Sequence, residues 1–94
     1  MDFSDWRSEI DAIDGEIMKL LKRRAQIVAE IGKAKAQKGM PVVDKERERQ
    51  ILSRIENDSH SVLSAEAAQC VFRCIIKESR RIQAEFIEQR VELC

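Results

Sequence analysis

The sequence is short of the residues that make turns and sheets. Its 94 residues include one proline, three glycines and no tyrosine, and aromatic residues make up only 4%. Strand-rich domains depend on turn residues and on aromatic side chains, so this shortage argues against a sheet. The remaining composition, with 36% charged residues, is rich in helix formers and predicts an all-α fold.

Charge of one sign and long apolar runs are also lacking. Lys+Arg and Asp+Glu both number 17, so the formal net charge is zero. Nucleic-acid and membrane-surface proteins normally carry a basic excess, so we expect neither kind of partner. No N-terminal apolar run resembles a signal peptide, and no run of about 18 apolar residues could cross a bilayer. We therefore expect a cytoplasmic location.

Metal-ligating residues are scarce. The chain has a single histidine, His60, and three cysteines, of which Cys70 and Cys74 lie one helical turn apart and Cys94 is terminal. This spacing matches no common metal site, and one histidine cannot make such a site by itself. We expect reduced thiols and no metal.

The apolar periodicity predicts three helices. We expect one domain over residues 1–94, with helices over about 4–37, 44–57 and 64–90. Ser4, Asp44 and Ser64 are the expected N-caps of these helices. Gly39 and Pro41 follow the first helix and should end it.

The first helix is too long for a compact domain of this size. About 33 residues make a helix about 50 Å long, whereas a compact chain of this length is only about 30–35 Å across. Its apolar seam is formed by Trp6, Ile10, Ile13, Ile17, Leu20, Ile27, Ile31 and Ala34. The other two helices can cover only part of that seam, so we expect an intertwined homodimer with two copies of the first helix packed together. Gly15 and Gly32 should be tolerated within the helix; the alternative is a monomer kinked at one of them.

Polar side chains interrupt the apolar faces of all three helices. They are Arg24 and Lys35 in the first helix, Asp44 and Glu48 in the second, and Ser79 and Gln83 in the third. Burying several charged groups costs several kcal/mol per ion unless partners satisfy them. Together these residues predict a pocket, and its excess of donors suits a small ligand that carries carboxylates.

Each polar residue also has a purely structural explanation. Arg24 could pair with Glu48 in a buried salt bridge, and Ser79 could bond to its own helix backbone. Gln83 could set the helix register, and Asp44 could be only an N-cap.

Arg7 borders the seam one turn before Ile10. It precedes Arg24 by seventeen residues, which is about 25 Å along a straight helix. No small molecule could be held by both from one chain. If Arg7 serves the pocket, it must come from the partner subunit; otherwise it is a rim arginine without a ligand.

The same residues fall within short segments along the chain. These are Arg7, the Arg23–Arg24 pair, GKAK at 32–35, PVVDKERE at 41–48 and ESRRIQ at 78–83. In order and spacing they resemble the all-helical chorismate mutases, over about residues 6–89. The resemblance implies three helices in an intertwined dimer with two active sites. It also implies an isomerase of phenylalanine and tyrosine biosynthesis that rearranges chorismate to prephenate in one pericyclic step, without a cofactor.

The resemblance implies a role for each matching cation. Arg24 and Lys35 match the carboxylate-binding cations within one chain. Arg7 matches the arginine that reaches in from the other subunit, and Arg47 matches a further arginine that supports the site.

The resemblance also implies roles for the acids and the helix 3 residues. Asp44 and Glu48 match the acids near the substrate hydroxyl, and Ser79 and Gln83 match ligands on the third helix. Lys35 and Gln83 are the implied donors to the ether oxygen. Catalysis would then combine conformational restriction of the dianion with electrostatic stabilisation of that oxygen, with Arg24, Lys35, Glu48 and Gln83 as the catalytic set.

Two other functions stay open at this point. Isochorismate pyruvate-lyase is a related pericyclic enzyme on the same fold, but Asp44 and Glu48 favour the mutase because they suit the chorismate hydroxyl. A non-catalytic helical dimerisation domain would leave the inward Arg24 and Lys35 unexplained. The chain could be free-standing or a domain of a larger aromatic-pathway enzyme.

Overall fold

Three helices make up the described part of the chain. The computed structural model describes residues 2–58 and 62–93, with side-chain environments for 2–58 and 62–87. The helices are α1 (Phe3–Lys38), α2 (Lys45–Asp58) and α3 (Ala65–Leu93), and the described residues include no strand. The predicted all-α class is confirmed. Cys70 and Cys74 are free thiols, while His60 and Cys94 lie outside the described residues.

The ends of α2 and α3 follow the predicted local signals. The Asp44 carboxylate accepts a hydrogen bond from the Arg47 backbone N–H at 3.0 Å, and the Ser64 hydroxyl accepts one from the Ala67 N–H at 3.1 Å. Both side chains satisfy backbone donors that a helix start leaves without intrahelical partners. Asp44 and Ser64 are therefore confirmed as N-caps.

The predicted N-cap of α1 is wrong. Asp2, and not Ser4, is the N-cap. The Asp2 carboxylate accepts from the Asp5 N–H, and the Asp5 carboxylate accepts from the Asp2 N–H, both at 3.2 Å. This reciprocal capping box satisfies two backbone donors, whereas a cap at Ser4 would satisfy one. The other end of α1 is as predicted, because Gly39 takes the left-handed conformation with φ of 68°.

The α3 helix lies between the other two. Within the described residues α3 contacts both α1 and α2, and no Cα of α1 lies within 8 Å of one in α2. Arg24 contacts Ser79, and further along α1 Gly32 approaches Gln83, so α1 and α3 run in the same direction. Glu48 of α2 contacts Arg80 of α3, and Leu52, one turn further along α2, accepts from the amide of Gln69, which comes earlier in α3. The α2 helix therefore runs antiparallel to α3.

α1 and α3 approach each other closely at Gly32. A Cβ atom at this position would lie 3.0 Å from the Gln83 Cα and 3.1 Å from Cδ2 of Phe86. We predicted Gly32 to be merely tolerated within a helix, but it is the residue that permits this close approach. Gly15 has open space around its Cβ position, and α1 continues unbroken through both glycines.

The first half of α1 extends beyond the rest of the fold. The longest dimension of the chain is 59 Å, against 26 and 14 Å for the others. The buried apolar side chains are Val28, Ile51, Ala68 and Ile76, and Val28, Ile51 and Ile76 lie together where the three helices meet. By contrast the α1 seam residues Trp6, Ile10, Ile13, Ile17 and Leu20 are 47–64% exposed. Within the described residues no helix combines the length and apolar character needed to cross a membrane.

Candidate active site

A cavity opens where the three helices meet. Its volume is about 360 Å³, and Val28, Ile51 and Ile76 form part of its apolar wall. The polar residues that line it are Arg24, Lys35, Asp44, Arg47, Glu48, Ser79, Arg80 and Gln83. Every residue for which the sequence predicted a site role lines this one cavity, with the exception of Arg7.

Lys35 connects α1 to α3 and to the loop before α2. Its ammonium group donates to the side-chain oxygen of Gln83 at 2.8 Å and to the Val42 carbonyl at 2.9 Å. An ammonium group has three N–H donors, so one remains beyond these two bonds. Lys35 is thus held at the cavity wall with one N–H available to a ligand.

Arg24 is held by Ser79. Its guanidinium donates to the Ser79 hydroxyl at 2.5 Å, and that hydroxyl donates to the Ile75 carbonyl at 2.8 Å. The backbone bond is the structural alternative considered for Ser79, and it coexists with the contact to Arg24. Burial and, to a smaller extent, the positive charge of Arg47 lower the pKa of Arg24.

Glu48 is paired with Arg80, and not with Arg24. The Arg80 Nε donates to one Glu48 oxygen at 2.7 Å, and a terminal nitrogen of Arg80 donates to the other oxygen. This hydrogen-bonded contact lowers the pKa of Glu48 below its ordinary value, although burial opposes the effect. Glu48 is therefore a carboxylate at neutral pH.

Arg80 lines the cavity, although the sequence patterns predicted no role for it. The spacing contained a signal for it, because Arg80 follows Ile76 by four residues and precedes Gln83 by three. This spacing places all three residues on the same face of α3. Arg80 lies within the ESRRIQ segment, but no role was assigned to it there.

The cavity carries an excess of positive charge. Arg24, Lys35, Arg47 and Arg80 line it, against two acids, Asp44 and Glu48. Four cations less two anions leave two positive charges, which match a dianion. The cavity can therefore bind a small molecule with two carboxylates.

Arg7 lies far from this cavity within one chain. Its guanidinium carbon is 5.9 Å from the centre of the Phe3 ring, near the start of α1. The seventeen residues to Arg24 form continuous helix, about 25 Å long at 1.5 Å per residue. The structure of one chain does not bring Arg7 to the other predicted site residues.

The sequence that forms this cavity matches a known protein family. Residues 6–84 match the family model described as chorismate mutase type II. The chain belongs to the chorismate mutase type II family. The match covers all of α2 and most of α1 and α3, and it includes every residue of the cavity.

The chain is also similar to several curated proteins. The chain is 31% identical over 85 residues to a chorismate mutase of Methanocaldococcus jannaschii, covering 88% of this chain and 85% of that protein. It is 36% identical over 84 residues to the T-protein of Haemophilus influenzae, covering 87% of this chain but only 22% of the relative. The bifunctional chorismate mutase/prephenate dehydratase of Escherichia coli K12 is 33% identical over 87 residues, with 90% and 22% covered. The chain thus spans about a fifth of the length of these two larger relatives.

A solved structure has the same fold. The chorismate mutase of Helicobacter pylori, crystallised in complex with prephenate, superposes with a TM-score of 0.81 at 29% identity. The superposition covers 90% of this chain and 92% of that one.

Proposed function

We propose that this chain is a chorismate mutase that rearranges chorismate to prephenate in phenylalanine and tyrosine biosynthesis. The proposal depends on the cavity, whose lining has two more positive than negative charges. In its wall the Lys35 ammonium donates to the Gln83 side-chain oxygen at 2.8 Å. Membership of the chorismate mutase type II family supports it, as does the similarity to a structure in complex with prephenate.

The first contribution to catalysis is conformational. Chorismate is a flexible dianion that reacts only when its enolpyruvyl side chain folds over the ring. Arg24 and Lys35 would bind its carboxylates from one chain, while Arg47 adds positive charge at the same wall. Holding the reactive conformer removes much of the entropic barrier to the rearrangement.

The second contribution is electrostatic. As the C–O bond breaks, negative charge grows on the ether oxygen. The remaining N–H of Lys35 and the second amide N–H of Gln83 are the donors proposed for that oxygen. Because this charge is larger in the transition state than in the substrate, their contribution raises turnover.

The acids of the cavity suit the substrate hydroxyl. Glu48 is held as a carboxylate by Arg80, so it can accept a hydrogen bond from the hydroxyl. One oxygen of Asp44 caps α2, which leaves the other for a ligand. Ser79 would position Arg24 beside them.

We also propose that residues 1–94 form one domain and that two chains make an intertwined homodimer with two active sites. The exposed α1 seam supports this association, since a contiguous apolar stripe of this length is rarely left in water. Arg7 would then reach the cavity of the partner subunit. The cytoplasmic location expected from the sequence stays a prediction.

The test is a turnover assay in which the purified chain is mixed with chorismate. Loss of chorismate and formation of prephenate are measured. Lys35→Ala serves as the matched variant and should lose most of the activity. A parallel assay with isochorismate distinguishes the nearest rival, because pyruvate release without chorismate turnover would make the chain a pyruvate-lyase. A folded chain that turns over neither substrate would be a non-catalytic domain.

A further inference from the structure

Arg80 joins α3 to α2 through a two-point contact with Glu48. One planar guanidinium holds both oxygens of the carboxylate, the arrangement that gives an arginine–carboxylate pair its geometric specificity. The two residues are 32 positions apart in sequence. Their orientation therefore depends on how the two helices pack, and not on a single helix.

Building on the proposed mutase function, we propose that Arg80 is a positioning residue for the reaction. Its two-point contact holds the Glu48 carboxylate in the orientation that accepts the substrate hydroxyl.

The two cavity cations of α1 have other partners. Arg24 donates to Ser79, and Lys35 donates to Gln83 and to the Val42 carbonyl. A carboxylate beside a dianionic substrate is repulsive unless a cation offsets it. The Arg80 guanidinium supplies that charge through its direct contact with Glu48 and leaves Arg24 and Lys35 for the ligand.

This pair differs from the surface ion pairs of the molecule. Arg81 pairs with Glu78 at 3.5 Å within α3, and both of those side chains are more than half exposed. In the Glu48–Arg80 pair the carboxylate side chain is 19% exposed, whereas the arginine is 44% exposed. A largely covered acid depends on its partner more than an exposed one does.

The groups that face Glu48 predict a pH signature. The hydrogen bonds from Arg80 are the largest influence and lower the pKa of Glu48; Lys35 of α1 acts in the same direction. Burial and the neighbouring Asp44 of α2 raise that pKa. Removing Arg80 leaves the raising influences in excess, so Glu48 takes up a proton at a higher pH than in the wild type.

The experiment compares Arg80→Met with Arg81→Met, a neighbouring variant on the exposed side of α3. We expect kcat/KM for chorismate to fall by about 10- to 100-fold in Arg80→Met, the range for a lost bond to a charged group. The acid limb of its pH profile should move to higher pH. Arg81→Met should leave both unchanged. Arg80→Lys keeps the charge but makes one contact, so it should recover part of the loss.

A double-variant cycle shows whether Arg80 acts through Glu48. If it does, Arg80→Met has little further effect in a Glu48→Gln background. The inference would be overturned if the losses in kcat/KM of the two single variants multiplied in the double variant. It would also be overturned if the acid limb of Arg80→Met did not move, or if Arg80→Met had wild-type kinetics. Chorismate turnover by the wild-type chain in the same assay keeps the proposed function standing in those cases. If Arg80→Met does not fold, Arg80→Lys and Arg80→Gln carry the same comparisons.

Discussion

Lys35 on α1 and Gln83 on α3 meet at 2.8 Å, with the lysine ammonium donating to the amide oxygen. A cation accepts no hydrogen bond, so the contact fixes the oxygen of the amide toward Lys35 and its NH₂ group away. That NH₂ group donates to the Ser79 carbonyl at 3.3 Å and has a second N–H. The structure thus holds Gln83 as a donor at the cavity wall.

Gln83→Glu should cut turnover at neutral pH. A carboxylate would keep the contact with Lys35 but would replace a donor by a negative charge beside the proposed ether-oxygen position. Loss of one such donor costs about 100- to 1,000-fold in kcat. Activity should rise again at lower pH, because a protonated glutamate can donate. Steady-state kinetics over a pH series measure both effects.

Gln26→Glu is the matched control for the added charge, because Gln26 is exposed on α1 and does not line the cavity. It should retain wild-type kinetics. Unchanged activity in Gln83→Glu would show that the proposed role of Gln83 is wrong.

The two helical glycines of α1 should respond oppositely to alanine. In Gly32→Ala the new Cβ would lie 3.0 Å from the Gln83 Cα. Such overpacking costs about 1–3 kcal/mol, against about 1 kcal/mol gained in helix propensity, so the free energy of unfolding should fall. Gly15→Ala meets open space and should raise it by about 0.5–1 kcal/mol.

Urea unfolding at one protein concentration compares the two glycine variants, since a dimer's stability depends on concentration. Gly32→Ala should also lower kcat/KM, because Gln83 would have to move. Equal stability of the two variants would contradict the close approach of α1 and α3.

The sequence predicts features that depend on neighbouring residues better than features that depend on contacts between helices. Asp44 and Ser64 were identified as N-caps because capping depends on a few neighbouring residues. Asp2 was missed because Ser4 is an equally good cap by type, and only the reciprocal bonds with Asp5 decide between them.

Tertiary contacts limit the prediction of the site. Arg24, Lys35 and Gln83 could be identified because a polar residue on an apolar face is visible in sequence. Arg80 was missed because its partner, Glu48, lies 32 residues away on another helix. The importance of Gly32 was missed for the same reason, since periodicity does not report how closely two helices approach.

Ile13→Lys should dissociate the proposed dimer. Ile13 is 54% exposed in the single chain and lies in the exposed first half of the α1 seam. A lysine there would place a charge in the proposed interface of two α1 helices, at a cost of several kcal/mol for each buried ion. Sedimentation should show a monomer, and chorismate turnover should fall with the mass. Ser8→Lys adds the same charge about 140° around the helix from Ile13 and should remain dimeric. A dimeric, active Ile13→Lys chain would place the interface elsewhere.

Arg7→Ala should raise KM for chorismate by about 10- to 100-fold, the range for a lost bond to a charged group, while the dimer stays intact. The sharper measurement mixes Arg7→Ala chains with Lys35→Ala chains after unfolding and refolding them together. If Arg7 serves the partner's cavity, half of the refolded dimers contain one intact site, and kcat/KM for chorismate rises to about a quarter of the wild-type value. If Arg7 acts within its own chain, every site in the mixture lacks a cation, and kcat/KM stays at the mean of the two variants refolded alone. The two geometries therefore predict different results for the same mixture. Each variant unfolded and refolded alone is the control.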